Sequence, residues 1–292
     1  MSKAEVLETE SRWALPTALA TFLAVAFLVA AAIVNEVSGS GDAEILRSVD
    51  AHGGSVTLVG LLRAAAFALL AFPLLYLFRA ARARSPQMRS QLIGLVVAAP
   101  IFLALSAGFG AAAQQEAADQ FVAGEAKSTL SPQEAREDCK SDREDDETAK
   151  ACEKRKLADD EASNAQGEAS LTPFATGFGI AGGLGFVVVL FYTCLWAMRT
   201  GLLSRFWGSL GMALGIATLF GLIIFTLIWF VYFGLLVIGK VPNGRPPAWE
   251  EGEAVPWPSP GEQAAAELEP SEDVEAAEDG EPAERRKRKQ RE

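Results

Sequence analysis

The sequence predicts an all-α protein: a polytopic transmembrane helix bundle of six spans, alternatively five, with an external disulfide-linked helical hairpin and a disordered C-terminal tail. Three observations carry this reading. Apolar residues make up 50% of the 292-residue chain and are gathered into blocks, several of them roughly 20 residues long and able to cross a hydrocarbon core of about 30 Å. Arginine-rich and acidic loops alternate between those blocks, as they do when loops fall on opposite sides of a bilayer. Two cysteines stand symmetrically about a turn signal inside a highly charged stretch. In lipid the backbone must satisfy its own hydrogen bonds, so the apolar windows are helices.

The first run, Leu15 to Val34, follows a polar leader with Lys3 and Arg12. Its length, and the lack of a small-residue cleavage pattern ahead of a soluble domain, make it a retained span rather than a removed signal. The loop after it is acidic on balance, and the spacing of Ile45, Leu46 and Val49 predicts a short helix on the outer surface. The second run is Val56 to Phe78 and the third Leu92 to Ala112. Between them RAARARSPQMRSQ carries Arg79, Arg82, Arg84 and Arg89 and no acid, which places this loop and the N-terminus in the cytoplasm. The fourth run, Pro173 to Met198, is followed by Arg199 and Arg205, so the segment 114–171 is external.

The last apolar stretch, Phe206 to Gly239, would make a helix near 50 Å long. Either it is one strongly tilted helix, giving five spans, or a tight hairpin broken near Phe220–Leu222 by Gly221, giving six. Lys240 and Arg245 directly after it favour a cytoplasmic C-terminus and the even count. Proline density and charge then mark a disordered tail ending in RRKRKQR. The domain organisation is 1–112 with three spans, 113–172 as the external charged loop, 173–239 with two or three spans, and 240–292 as tail.

The charged loop contains REDCKSDREDDETAKACEK. Ser131-Pro132-Gln133-Glu134 is a helix start with cap, proline and returning glutamate in place, predicting a helix from Pro132 to Lys140. Asp145 and Asp146 offer a turn and a second cap before a helix running towards Ala158. In such a hairpin Cys139 and Cys152 face one another, and a bridge closing about 14 residues contributes roughly 3 kcal/mol. A polar hairpin has no core of its own, and an external location permits the bridge. Unpaired thiols and a metal site are the competing readings. His52 is the only histidine, so paired-histidine zinc motifs are excluded.

Arg63 stands about two turns inside the second span. It either snorkels or pairs structurally, with Asp50, Glu44 or Glu116 as partners, or serves an anion-binding or gating role. Gly179-xxx-Gly183 and Gly211-xxx-Gly215 have the spacing of closely packed membrane helices, within the chain or in a homo-oligomer. Trp196, Trp207, Trp229 and Tyr232 suit interfacial belts or packing, and Cys194 a small apolar role. Trp249 and Trp257, in GRPPAW and VPWP, are expected to anchor the tail to inner headgroups or to meet a partner that reads proline-rich segments. The terminal basic cluster suits anionic lipid; the acidic stretch upstream argues against nucleic acid.

No HExxH, GxSxG or P-loop occurs, and the spans hold almost no acids, which argues against catalysis and against ion-coupled transport. No cofactor is expected.

RFWGSLGMALG, then WFVYFGLLVIGKVPNGRPPAWEEGEAVPWP, and RAARAR after YLF resemble uncharacterised multi-pass inner-membrane proteins of actinobacteria. The resemblance implies a bacterial cell-membrane protein and transfers no site residues. The expected function is a non-enzymatic structural or interaction protein. The alternative is a small-solute transporter or channel-like protein in which Arg63 faces an internal cavity.

Overall fold

Four long helices set the frame of the computed structural model, which describes residues 2–141, 148–221, 223–242 and 244–257. They are α1 (Lys3–Val34), α3 (Gly53–Arg84), α4 (Ile93–Val122) and α7 (Thr172–Arg199). All four are long and apolar enough to cross a membrane. At 1.5 Å per residue they measure roughly 42 to 48 Å, so each outruns a hydrocarbon core. The other helices are α2 (Asp42–Ala51), α5 (Pro132–Asp138), α6 (Ala149–Glu168), α8 (Arg205–Ala217), α9 (Ile223–Val237) and α10 (Ala248–Glu251), and no strand occurs among the described residues.

Around the bundle α9 packs on α1, α1 on α3, α3 on α4, α4 on α7, α7 on α8, and α8 on α9, which closes a ring. Its centre is filled by Leu77, Leu190, Phe186, Trp229, Phe230 and Phe233. The outward faces carry Leu19, Leu61, Val97, Ile101, Ile180 and Leu184 exposed.

Helices α4 and α7 approach antiparallel through small residues. Gly179 meets Ser106, Gly182 meets the backbone of Leu103, and Gly185 meets Ala99. The Ser106 hydroxyl donates to the Ala175 carbonyl at 2.8 Å. The expected pair was Gly179 and Gly183; the closest approach uses Gly182 instead, because helix–helix contact advances by three as readily as by four. Gly211, by contrast, does what its spacing implied: a Cβ there would lie 2.5 Å from the Cys194 sulfur and 2.9 Å from the Trp229 indole nitrogen. Cys194 is a buried, free thiol in that contact.

The last apolar stretch is not one tilted helix. After α8 a 3₁₀ turn over Thr218–Phe220 ends at Gly221, whose φ of 77° is left-handed, a conformation glycine adopts without strain. Leu222 lies outside the described residues. Helix α9 then returns antiparallel: Thr226 donates to the Leu214 carbonyl, and Trp229 Nε1–H donates to the Trp207 carbonyl at 3.0 Å. Trp207 and Tyr232 stack with ring centres 3.5 Å apart. The turn thus falls where the sequence placed it. The arms, however, have 13 and 15 residues, or about 20 and 22 Å. At the tip Leu219 lies beside Gly183, eleven residues or roughly 16 Å short of the N-terminal end of α7.

Two other expectations change. Helix α4 does not stop at Ala112 but runs on through Gln114 and Gln115 to Val122. Helix α6 continues past Ala158 to Glu168. The cause is a second apolar cluster outside the ring, where Leu46, Val49, Ala117, Ala118, Ala162 and Ala165 pack together. Alanines on charged helices give little periodic signal, yet they let α2, α4 and α6 come close.

Adding one methyl tests the α4–α7 contact. Gly182→Ala brings a Cβ within 2.8 Å of a backbone nitrogen, whereas Gly177→Ala meets nothing within 4 Å. The first is expected to cost about 1–3 kcal/mol and the second to be neutral or stabilising, read as melting temperature in detergent.

Candidate functional site

At one end of the ring four stretches converge: the start of α1, the end of α3, the α7–α8 turn and residues 244–255. Arg84 stands at the centre with its side chain wholly out of solvent. Its guanidinium pairs with the Glu10 carboxylate, with one contact at 2.9 Å. It also donates to the carbonyls of Ala80 and Ala248, the latter at 2.8 and 3.0 Å. Every one of its donor nitrogens is therefore engaged, which a buried cation requires.

Trp249 closes the arrangement. Only 4% of it is exposed, its ring lies parallel to Tyr76 at 5.8 Å, and its Nε1–H donates to the Leu202 carbonyl at 2.9 Å. The guanidiniums of Arg84 and Arg245 each lie 5.6 Å from its ring centre, in cation–π range. Arg245 in turn donates to the Leu236 carbonyl, and Tyr76 to the Glu10 carbonyl. Gly201 makes the docking possible. Its φ is 75°, and a Cβ there would lie 2.0 Å from the Val255 carbonyl oxygen.

This corrects the sequence reading twice. Trp249 is an internal plug, not a headgroup anchor. Residues 240–255 belong to the first of two units, Met1–Val255, so the tail does not begin at 240. Of the second unit Pro256 and Trp257 are described, and Trp257 is partly exposed; 258–292, with the basic cluster, lie outside the described residues. Proline and acid content had suggested disorder, but the segment finds a carbonyl acceptor and an indole slot that only the folded ring provides.

Beside the ion pair a cavity of about 740 Å³ opens between α1 and α3. Thr9, Glu10, Arg79 and Arg82 line its polar end, and Trp13 and Phe72 its deeper part. Trp13, Phe72 and Ile93 are partly exposed while lining it, so it opens sideways. Arg82 donates to the Met88 carbonyl. Arg79 is exposed and makes no hydrogen bond or ion pair with any described residue. A smaller cavity, about 200 Å³, lies between Leu28, Leu103, Gly183 and Thr226.

At the opposite end the charged loop folds onto α2 and α4. Cys139 and Cys152 are joined, with Cα atoms 6.0 Å apart, and both are buried. Ser131 and Glu134 form the expected capping box of α5. Thr148, rather than Asp145 or Asp146, caps α6; those two and Glu147 lie outside the described residues. Arg136 pairs with Glu153 across the bridge at 2.8 Å. Asp159 accepts from the Ala43 backbone N–H and so caps α2, which has no cap of its own. Asp160 gathers the 128–130 loop through the Ser128 hydroxyl and the N–H groups of Thr129 and Leu130. Burial pushes the Asp160 carboxyl up, but these hydrogen bonds outweigh it and hold it below the usual carboxylate value.

Arg63 is not brought into either site. Its side chain is exposed and lines neither cavity. Two of its expected partners are taken: Glu44 accepts from Ser40 and Glu116 from Ser170. Among the described residues no group of three or more His, Cys, Asp and Glu is placed to hold a metal. In comparisons with known proteins no family model matches the chain, and no curated protein or solved structure does.

Breaking the clasp separates its partners' roles. Glu10→Ala leaves the Arg84 charge buried and is expected to cost about 3–5 kcal/mol, with faster proteolysis within 244–255. Lys3→Ala removes only the exposed Lys3–Glu253 pair and should change stability by less than about 1 kcal/mol. Equal melting temperatures for the two variants would rule out the clasp.

Asp160 gives a pH dependence. Its folded pKa lies below the unfolded value of about 3.9, so its contribution is present at neutral pH and is lost as pH falls through the folded value. Acid is expected to release the 127–130 loop, measured by amide exchange of Thr129 and Leu130. Asp160→Asn should exchange fast at every pH.

Proposed function

We propose that the chain is an integral protein of a bacterial cell membrane, non-enzymatic, whose external lobe presents a rigid surface for interaction. The outward apolar faces of α1, α3, α4 and α7 support the membrane setting, since an exposed belt of that extent is stable only against lipid or a partner. The arginine loops support a cytoplasmic converging end and an external stapled lobe.

The observation that carries the topology is the α8–α9 hairpin. It leaves and returns at the same end as the start of α1, which supports reading that start and residues 244–255 as sharing one side, as an even span count would have them. Its apolar tip, with Phe220 76% exposed, stops level with Gly183. We read it as a re-entrant hairpin whose tip rests in hydrocarbon, beside four full spans. A tip whose polar side chain, the Thr218 hydroxyl, is turned back onto the Gly215 carbonyl is unsuited to the headgroup layer.

Alkaline phosphatase fused after Gly124 should be active and, fused after Trp257, inactive; activity at the second site overturns the shared side. Phe220→Cys is expected to resist a membrane-impermeant maleimide from either face. Labelling from outside would show a full crossing and hence six spans.

A further inference from the structure

We propose that the groove between α1 and α3 is a binding site for one anionic phospholipid of the cytoplasmic leaflet. The inference rests on the membrane reading and goes beyond it by naming a site and a ligand class.

The groove is graded like an amphiphile. On α3, Arg79 and Arg82 lie at its polar end and Phe72, seven residues deeper, at its apolar end, a separation of roughly 10 Å along the helix. On α1, Thr9 and Glu10 stand at the polar end and Trp13 and Thr17 follow inward. The volume of about 740 Å³ falls within the roughly 300–1,000 Å³ of small-molecule sites.

Charge decides the sign of the ligand. Glu10, the acid in the lining, is neutralised by Arg84. Arg82 keeps its charge while donating to Met88, and Arg79 has no anionic partner among the described residues. The groove thus carries excess positive charge at the level where basic pockets between spans take anionic headgroups. A soluble anion would use Arg79 but leave the apolar wall of Trp13, Phe72 and Ile93 uncovered. A lipid satisfies both ends, with its phosphate at Arg79 and an acyl chain along that wall. The sideways opening gives it a route from the bilayer.

The test places benzoylphenylalanine at Phe72 of the full-length protein, in vesicles of phosphatidylglycerol and phosphatidylethanolamine in equal parts. A second probe at Leu61, 63% exposed and away from the groove, reports ordinary boundary lipid. After illumination, mass spectrometry counts the adducts. The Phe72 probe is expected to prefer phosphatidylglycerol by about fivefold, the weight of one basic residue near a charged surface, while Leu61 shows no preference. Arg79→Gln should bring the Phe72 ratio down to that at Leu61, and Arg79→Lys should retain most of it. A preference that survives Arg79→Gln, equal ratios at both probes, or adducts with the chain's own acidic C-terminal residues would each overturn the proposal. Lipid adducts at Leu61 without preference at Phe72 leave the membrane reading standing. No lipid adduct at either position overturns both.

Discussion

Arg84 is a cation with no access to water, and the rest of the converging end is arranged to make that tolerable. A lone buried charge costs several kcal/mol, so the fold persists only with Glu10 and the carbonyls of Ala80 and Ala248 in place. Those partners come from three segments far apart in sequence. Satisfying one guanidinium therefore fixes where α1 begins relative to α3 and obliges residues 244–252 to fold back across both. The slot for Trp249 and the polar end of the groove are by-products of the same constraint. Arg79, one to two turns earlier on α3, takes no part in the clasp and is exposed.

The bundle and the lobe solve different problems. Within the ring, backbones approach through Gly182, Gly185 and Gly211, because close contact rather than hydrophobic burial holds helices together where the surroundings are apolar. In the lobe the core is thin and made largely of alanine, so individual polar contacts and a covalent link take over. The acids there work inward: Asp159 caps one helix, Asp160 gathers a loop, Glu116 holds Ser170 and Glu134 its own helix start. A stretch that reads as a solvated charge run is a set of caps and clasps around one disulfide.

The hairpin links these views. Its turn at Gly221 was marked by the residue type alone, but its depth was not. Helix length in residues gives about 20 Å per arm, and only the contact of Leu219 with Gly183 fixes where the tip stands along α7. The difference between a crossing and a re-entrant hairpin is a matter of register against a neighbour, which no single window of sequence contains.

By itself the sequence determined the all-helical class, the four long apolar helices and the capping box at Ser131, and it named the Gly221 turn and the pairing of Cys139 with Cys152 each as one of the alternatives it left open. These follow from local rules: hydropathy over one window, cap chemistry over four residues, and symmetry about one turn. The tertiary structure alone decided the extension of α4 and α6, the use of Gly182, the burial of Trp249 and the exposed place of Arg63. It also singled out Glu10, to which no role was read in the sequence, and Arg84, one arginine among several. Each depends on which surfaces meet after folding, and a buried pair 74 residues apart leaves no local pattern from which to read it.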